Sequence, residues 1–285
     1  MMDPVRIGVG FGSWRFGVPS SKIAMEIPER VEALGIDSIW LADHVLPPRP
    51  DLETMTLLSI YTAKTRRIKL GTSILLLPLR NPILVAKAIA TLDYLSDGRM
   101  VLGLGVGGEN PKEFSACGVP LSERKSRIEE GITILKKLWT ESNVTFSGKH
   151  YQFNDVTLEP KPKQKPHPSI WIGGKSPAAL KRVAAMGDGW FASFITPEAY
   201  RKNMADILSW ARESGRNVNE IESGVNLMSY VGDSSRAAVM KQRFLNDFAP
   251  FGADDRSAAF GTVKDCIVRI EEYLAAGTRL SLIHI

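Results

Sequence analysis

Short apolar runs and longer amphipathic ones alternate along almost the whole chain, and this rhythm restricts the possible folds more than any other feature. Residues 6–11, 36–41, 68–77, 100–106, 169–172, 189–192, 224–231 and 280–285 read as strands, most of them apolar on both faces. Residues 23–34, 55–65, 82–95, 122–139, 177–186, 197–214 and 263–275 read as helices. In the first of these, Ile23, Ile27, Val31 and Leu34 recur at the spacing of one helical face, and Gly35 stops it. Strands buried on both faces and separated by helices predict a parallel sheet covered by helices. Eight such units favour closure into a single (β/α)8 barrel of the TIM type over an open doubly wound sheet. One α/β domain is therefore expected over residues 1–285.

Two features interrupt the rhythm. Residues 143–168 place Val144, Phe146, Tyr151 and Phe153 in alternation around Ser147, Gly148 and Lys149, the pattern of a small hairpin. Prolines alternating with lysines over 159–166 then form an extended spacer, so this stretch is expected to be an insertion between units four and five. The sequence also reaches Ile285 inside its eighth strand with no helix to follow. A truncated or read-through C-terminus lacking the closing helix is the expectation.

Charge narrows the partners. The formal net charge is +5, but lysines and arginines are scattered rather than gathered on one aromatic-studded face, which argues against nucleic acid. Cys117 and Cys266 lie far apart, outside any metal-ligand spacing, and a reducing compartment is the simplest reading. The first residues lack the apolar core of a signal peptide, and no apolar stretch approaches the length of a membrane helix. A cytoplasmic enzyme with a small-molecule substrate, no metal and no membrane contact is expected.

Gly103, Gly105 and Gly108 fit the GxGxxG pattern directly after an apolar strand. The dinucleotide fingerprint belongs in the first βα turn and opens a helix at once, whereas Asn110 and Pro111 follow here. A backbone passing close to something flat explains these glycines better. Gly173, Gly174, Lys175, Ser176 and Pro177 lead from a strand into a helix, with Ser176 suited to the N-cap and Pro177 to the first helical position. Such a turn either binds an anion on its backbone N–H groups or is simply a well-capped loop.

Taken in order, these segments resemble the bacterial luciferase-like superfamily of flavin- and coenzyme F420-dependent barrels. The resemblance rests on residues 38–45, 71–74, 81–87, 95–99 and 109–114, then on Gly118, Val119 and Pro120, Glu123 and Arg124, 166–168, Gly173 with Gly174, and 187–190. It implies an oxidoreductase or monooxygenase, either hydride transfer on F420 or oxygenation with FMN, the latter fed by a separate reductase. A homodimer is the usual assembly it implies. Gly173, Gly174, Lys175 and Ser176 would hold the cofactor phosphate. Ser73–Ile74 would be a non-prolyl cis peptide behind the ring, with Gly107 a further cofactor contact. Asp43 and His44 would lie beside the ring, and the pair looks more like the F420 enzymes than the FMN ones. Glu109 would be the catalytic acid, with Glu113 the alternative because the intervening loop carries one extra residue.

The residues themselves agree with that chemistry. Histidine moves protons near neutral pH, and His44 ends a strand at the rim where barrel enzymes place catalysis. Asp43 is expected to orient it or to bond the ring. The plainer reading is a polar pair at a strand end. Trp14 follows the first strand, where it walls a substrate pocket or only covers the core. Two other functions stay open: a non-redox, phosphate-binding barrel enzyme, and a cofactor-binding relative without turnover.

Overall fold

The computed structural model describes residues 5–11, 17–47 and 50–284, the last four by backbone alone. In chain order the first strands are β1 Arg6–Phe11, β2 Ser38–Leu41, β3 Lys69–Thr72, β4 Leu75–Leu76, β5 Met100–Gly105, β6 Val144–Ser147 and β7 Gln152–Val156. Then come β8 Ser169–Gly173, β9 Gly189–Ser193, β10 Glu222–Val231, β11 Ala258–Gly261 and β12 Leu280–His284. The helices are α1 Ser21–Ala33, α2 Thr54–Lys64, α3 Pro82–Leu95, α4 Pro111–Ala116 and α5 Arg124–Thr140, followed by α6 Pro177–Met186, α7 Pro197–Glu213, α8 Ser234–Phe248 and α9 Val263–Ala275.

The chain divides into two compact units. The unit Gly12–Ile170 holds a parallel ladder in which β2 pairs β3, β3 pairs β5, and β4 continues beside β5. Every residue of β2 and β5 is buried, which is why those runs are apolar throughout. The expected strand over 68–77 is broken into β3 and β4 by a cis peptide between Ser73 and Ile74, and a 3-10 turn follows over Leu77–Leu79. Trp139 fills the space under α3, and its indole N–H donates to the Ala86 carbonyl at 3.0 Å. The hairpin expected from the alternation forms as antiparallel β6 and β7, with Phe146 stacked on Phe153.

The second unit, Met1–Phe11 with Trp171–Ile285, is also built on a parallel ladder. Its order is β8, β9, β10, β12, β1, with Trp171 opposite Gly189, Gly224 opposite Leu280, and Arg6 opposite Leu280. The C-terminal half of β10 also pairs β11, from Met228 opposite Ala258. Trp190 stacks on Tyr200 at 4.9 Å between centroids, which pins α7 against β9.

All eight predicted strands and seven predicted helices have counterparts here. Added to them are α4, α8 and β11. Helix α5 begins at Arg124, two residues later than expected, because a 3-10 turn over Leu121–Glu123 precedes it. Among the described residues no helix is long and apolar enough to cross a membrane.

Candidate active site

Asp43 and His44 leave β2 at its C-terminal end, on the unit Gly12–Ile170. Asp43 is buried, and both of its carboxylate oxygens are committed. Arg80 grips them through two parallel bonds, Nη1 to Oδ2 and Nη2 to Oδ1, each 2.8 Å. The Leu76 amide also donates to Oδ2 at 2.9 Å. The carboxylate thereby ties β2 to the segment that follows the cis Ser73–Ile74 bond. Burial pushes the Asp43 carboxyl above its ordinary value, and the Arg80 guanidinium and the Leu76 N–H act against that rise. Arg80 reaches on to Glu53 at 3.5 Å, and Glu53 caps α2 by accepting the Thr56 N–H.

His44 takes its partner from elsewhere. Its Nδ1 lies 3.3 Å from Oε2 of Glu113, a buried carboxylate in the first turn of α4. Oε1 of the same group accepts the amides of Val45 and Leu46, the latter at 3.1 Å. One side chain therefore fixes both the imidazole and the backbone that carries it. Glu109, the acid named from the resemblance, is exposed, and Glu113 is the glutamate that reaches His44. Among the described residues the hydrogen bonds to Asp43 come from Arg80 and Leu76, and the bond to the imidazole comes from Glu113.

Asp51, which the sequence analysis did not single out, lies just before α2. Its Oδ1 accepts the Leu52 N–H at 2.9 Å, while Oδ2 is buried with no hydrogen-bond partner among the described residues. Burial pushes its carboxyl up to about 6, against the Leu52 N–H and the nearby His44 charge. The hydroxyl of Ser73, buried beside the cis bond, likewise has no hydrogen-bond partner among the described residues.

The close approach expected at the glycines of β5 is real, but its partner is the protein itself. A Cβ on Gly103 would overlap the Thr72 carbonyl oxygen, and one on Gly105 would overlap the Ile74 side chain. Gly107 and Gly108 have φ of 58° and 119°, in the left-handed region where glycine is favoured. A Cβ on Gly107 would press on Leu76 and Phe114 at 3.1–3.3 Å. The segment around Ile74 is thus seated directly on β5.

On the second unit, β8 ends at Gly173 and the chain turns through Gly174, with φ of 111°, into α6. Ser176 caps that helix by accepting the Ala179 N–H, and Pro177 occupies its first turn. The Trp190 indole donates to the Gly174 carbonyl at 2.8 Å and fixes the turn. The Lys175 ammonium, expected beside a phosphate, donates instead to the carbonyls of Phe194 and Gly252. Burial lowers its pKa, and Asp254 opposes that. Trp14 lies outside the described residues. Among the described residues no cluster of His, Cys, Asp and Glu is arranged to hold a metal.

A family model described as luciferase-like monooxygenase matches residues 15–274. The chain is 32% identical over 252 residues to an F420-dependent glucose-6-phosphate dehydrogenase of Kineococcus radiotolerans, covering 85% of this chain and 73% of that protein. It is 36% identical over 189 residues to an FMNH(2)-dependent dimethylsulfone monooxygenase of Pseudomonas putida, covering 65% and 51%. The structure of an F420-dependent secondary alcohol dehydrogenase, in complex with an F420-acetone adduct, superposes with a TM-score of 0.86 at 21% identity, over 99% of this chain and 93% of that one. That likeness shows the fold, the α/β barrel type expected from the strand–helix rhythm.

Proposed function

The chain belongs to the luciferase-like monooxygenase family, and we propose that it is an oxidoreductase exchanging hydride between coenzyme F420 and a small organic substrate. The observation that carries this reading is His44, held through Nδ1 by the buried Glu113 and still 30% exposed. An Nδ1–H donated to the carboxylate leaves Nε2 as the nitrogen that takes or returns a proton. A substrate hydroxyl beside Nε2 loses its proton there as its carbon gives up hydride.

When bound, F420 supplies a two-electron hydride carrier, and reduced FMN supplies the same electrons with reactivity toward oxygen. The residues present suit such a group. Ser73 offers a buried hydroxyl with no partner among the described residues, next to a backbone held rigid by β5 and by the Asp43–Arg80 pair. The turn through Gly173, Gly174, Lys175 and Ser176 would receive the cofactor phosphate through its backbone and the positive end of α6. The helix dipole adds about 0.3–1 kcal/mol at an exposed end, so several N–H donors must do most of the binding. Lys175 contributes by holding that turn to Phe194 and Gly252. Asp43 acts by fixing the wall behind the ring. Glu109 is offered as a contact at the rim, and Trp14 as part of the substrate pocket.

The 36% identity to an FMNH(2)-dependent monooxygenase favours a second reading, oxygenation with FMN delivered by a separate flavin reductase. A single luciferase-like domain, a homodimeric assembly and a cytoplasmic location belong to either proposal.

The test follows F420 absorbance with glucose 6-phosphate and a panel of primary and secondary alcohols, alongside oxygen consumption with FMNH2 and dimethylsulfone. Hydride exchange with F420 is expected, falling about 100-fold or more in His44→Ala while cofactor binding persists. Turnover only with FMNH2 and oxygen would establish the second reading. Undiminished turnover in His44→Ala would remove the imidazole from the mechanism.

A further inference from the structure

The unit Met1–Phe11 with Trp171–Ile285 carries a cavity at the other end of its strands from the Gly173 turn. Arg6 and Glu222 begin β1 and β10, and Arg279 immediately precedes β12, so all three mark N-terminal strand ends. The cavity measures about 670 Å³. That lies in the range of small-molecule sites, roughly 300–1,000 Å³. Met204 and Leu208 of α7 and the buried Ile221 line it with apolar surface.

The polar groups around this surface are mostly cationic. Arg6, Arg201 and Arg279 all line the cavity, against the single carboxylate of Glu222. Arg6 spends its charge on Glu222 at 3.0 Å. Arg201 and Arg279 have no carboxylate within ion-pair distance among the described residues, and each is anchored instead on one backbone carbonyl. Arg201 Nη2 donates to Ala275 at 3.1 Å, and Arg279 Nη1 donates to Thr278 at 3.3 Å. A guanidinium has five N–H donors, so one such bond orients it and leaves most of the fork to a ligand. Two guanidinium groups beside an apolar floor match an anionic headgroup joined to a hydrocarbon body. Arginines that merely covered a surface would not need a concave apolar floor between them.

We propose that this cavity is a binding site for a small anionic amphiphile, a carboxylate on a short apolar chain, held by Arg201 and Arg279 over Met204, Leu208 and Ile221. The site is separate from the redox chemistry and does not depend on which cofactor the enzyme uses.

Isothermal titration of the full chain with decanoate, decanol and inorganic phosphate tests it. Decanoate is expected to bind, with decanol and phosphate each about 10-fold weaker or worse, the loss that accompanies removal of one charge-assisted contact or of the apolar body. The double variant Arg201→Glu/Arg279→Glu should weaken decanoate by about 10-fold or more, with the salt dependence of the residual affinity reversed in sign, because carboxylates then face the ligand's own. Leu208→Trp keeps both guanidinium groups, fills the floor and should weaken decanoate to a similar degree. Absorbance titration with FMN and F420, unchanged in both variants, confirms folding at the opposite end. No decanoate binding, decanoate affinity unchanged in both variants, or phosphate binding as tightly as decanoate would each overturn the proposal.

Discussion

At the residue scale, the Asp43–Arg80 pair is the feature most exposed to a stability test. Removing Arg80 strands a buried carboxylate, and breaking such a pair typically costs about 3–5 kcal/mol. Arg80→Met should lower the urea midpoint accordingly, while Asp43→Asn/Arg80→Met should recover part of the loss, because no charge is then left unpaired. Additive single and double losses would mean that the two groups do not depend on each other. Asp51 carries a pH dependence of definite sign. Its carboxyl is raised from 3.8 to about 6 in the folded protein, so the folded state binds the proton more tightly than the unfolded chain. Stability from this group is greatest below the unfolded value and is lost as pH climbs through that interval. Asp51→Asn should therefore gain on the native protein between about pH 4 and about pH 7 in denaturant unfolding. A gap that stays constant with pH would contradict the assignment. Glu113 joins three donors, and Glu113→Ala leaves the Val45 and Leu46 amides without their acceptor. Both residues are exposed, so water replaces part of that bonding, and a loss of about 0.5–1.5 kcal/mol per amide is expected, with a fall in turnover as the imidazole loses its anchor. Glu113→Gln, which retains an acceptor oxygen, should restore most of the stability and less of the turnover.

At the scale of elements, the two glycines of β5 separate ligand space from packing. Gly103 faces a fixed backbone oxygen, whereas Gly105 faces the movable end of Ile74. Gly103→Ala should destabilise the protein more than Gly105→Ala, each by about 1–3 kcal/mol or more, as thermal unfolding would show. Equal and negligible effects would mean that the strands are not seated as tightly as the structure places them. These glycines also show where sequence reasoning meets its limit. The requirement for small residues was visible in the pattern, but whether a ring or a neighbouring strand imposes it depends on packing between β3 and β5, which no local spacing encodes. The strands themselves were easy to find because burial on both faces makes them apolar throughout. Helix α8 and strand β11 were not recognised: only Ala237 and Phe244 of α8 are fully buried, and β11 is four residues long. The phenylalanines nearby, Phe194, Phe244 and Phe248, pack on one another, a cluster assembled from elements 50 or more positions apart in the case of Phe194 and Phe244.

At the scale of the molecule, the repeated strand–helix rhythm was sufficient for the fold class, because each unit buries its faces in the same way. The candidate site was only partly legible. Asp43 and His44 stood out as polar residues ending an apolar run, yet their partners come from positions 37 and 69 residues away. Nothing local ties Arg80 to Asp43, and Glu113 was one of two glutamates separated by a few residues; only the folded chain distinguishes them. The phosphate turn was legible from its glycines, its cap and its proline, whereas the commitment of Lys175 to two carbonyls was not. The central claim is that this chain binds a flavin or deazaflavin, and equilibrium absorbance titration of the purified protein with F420 and with FMN tests it most directly. At least one of the two should show a saturable spectral shift. A protein that shifts neither spectrum, while remaining folded, would contradict the account.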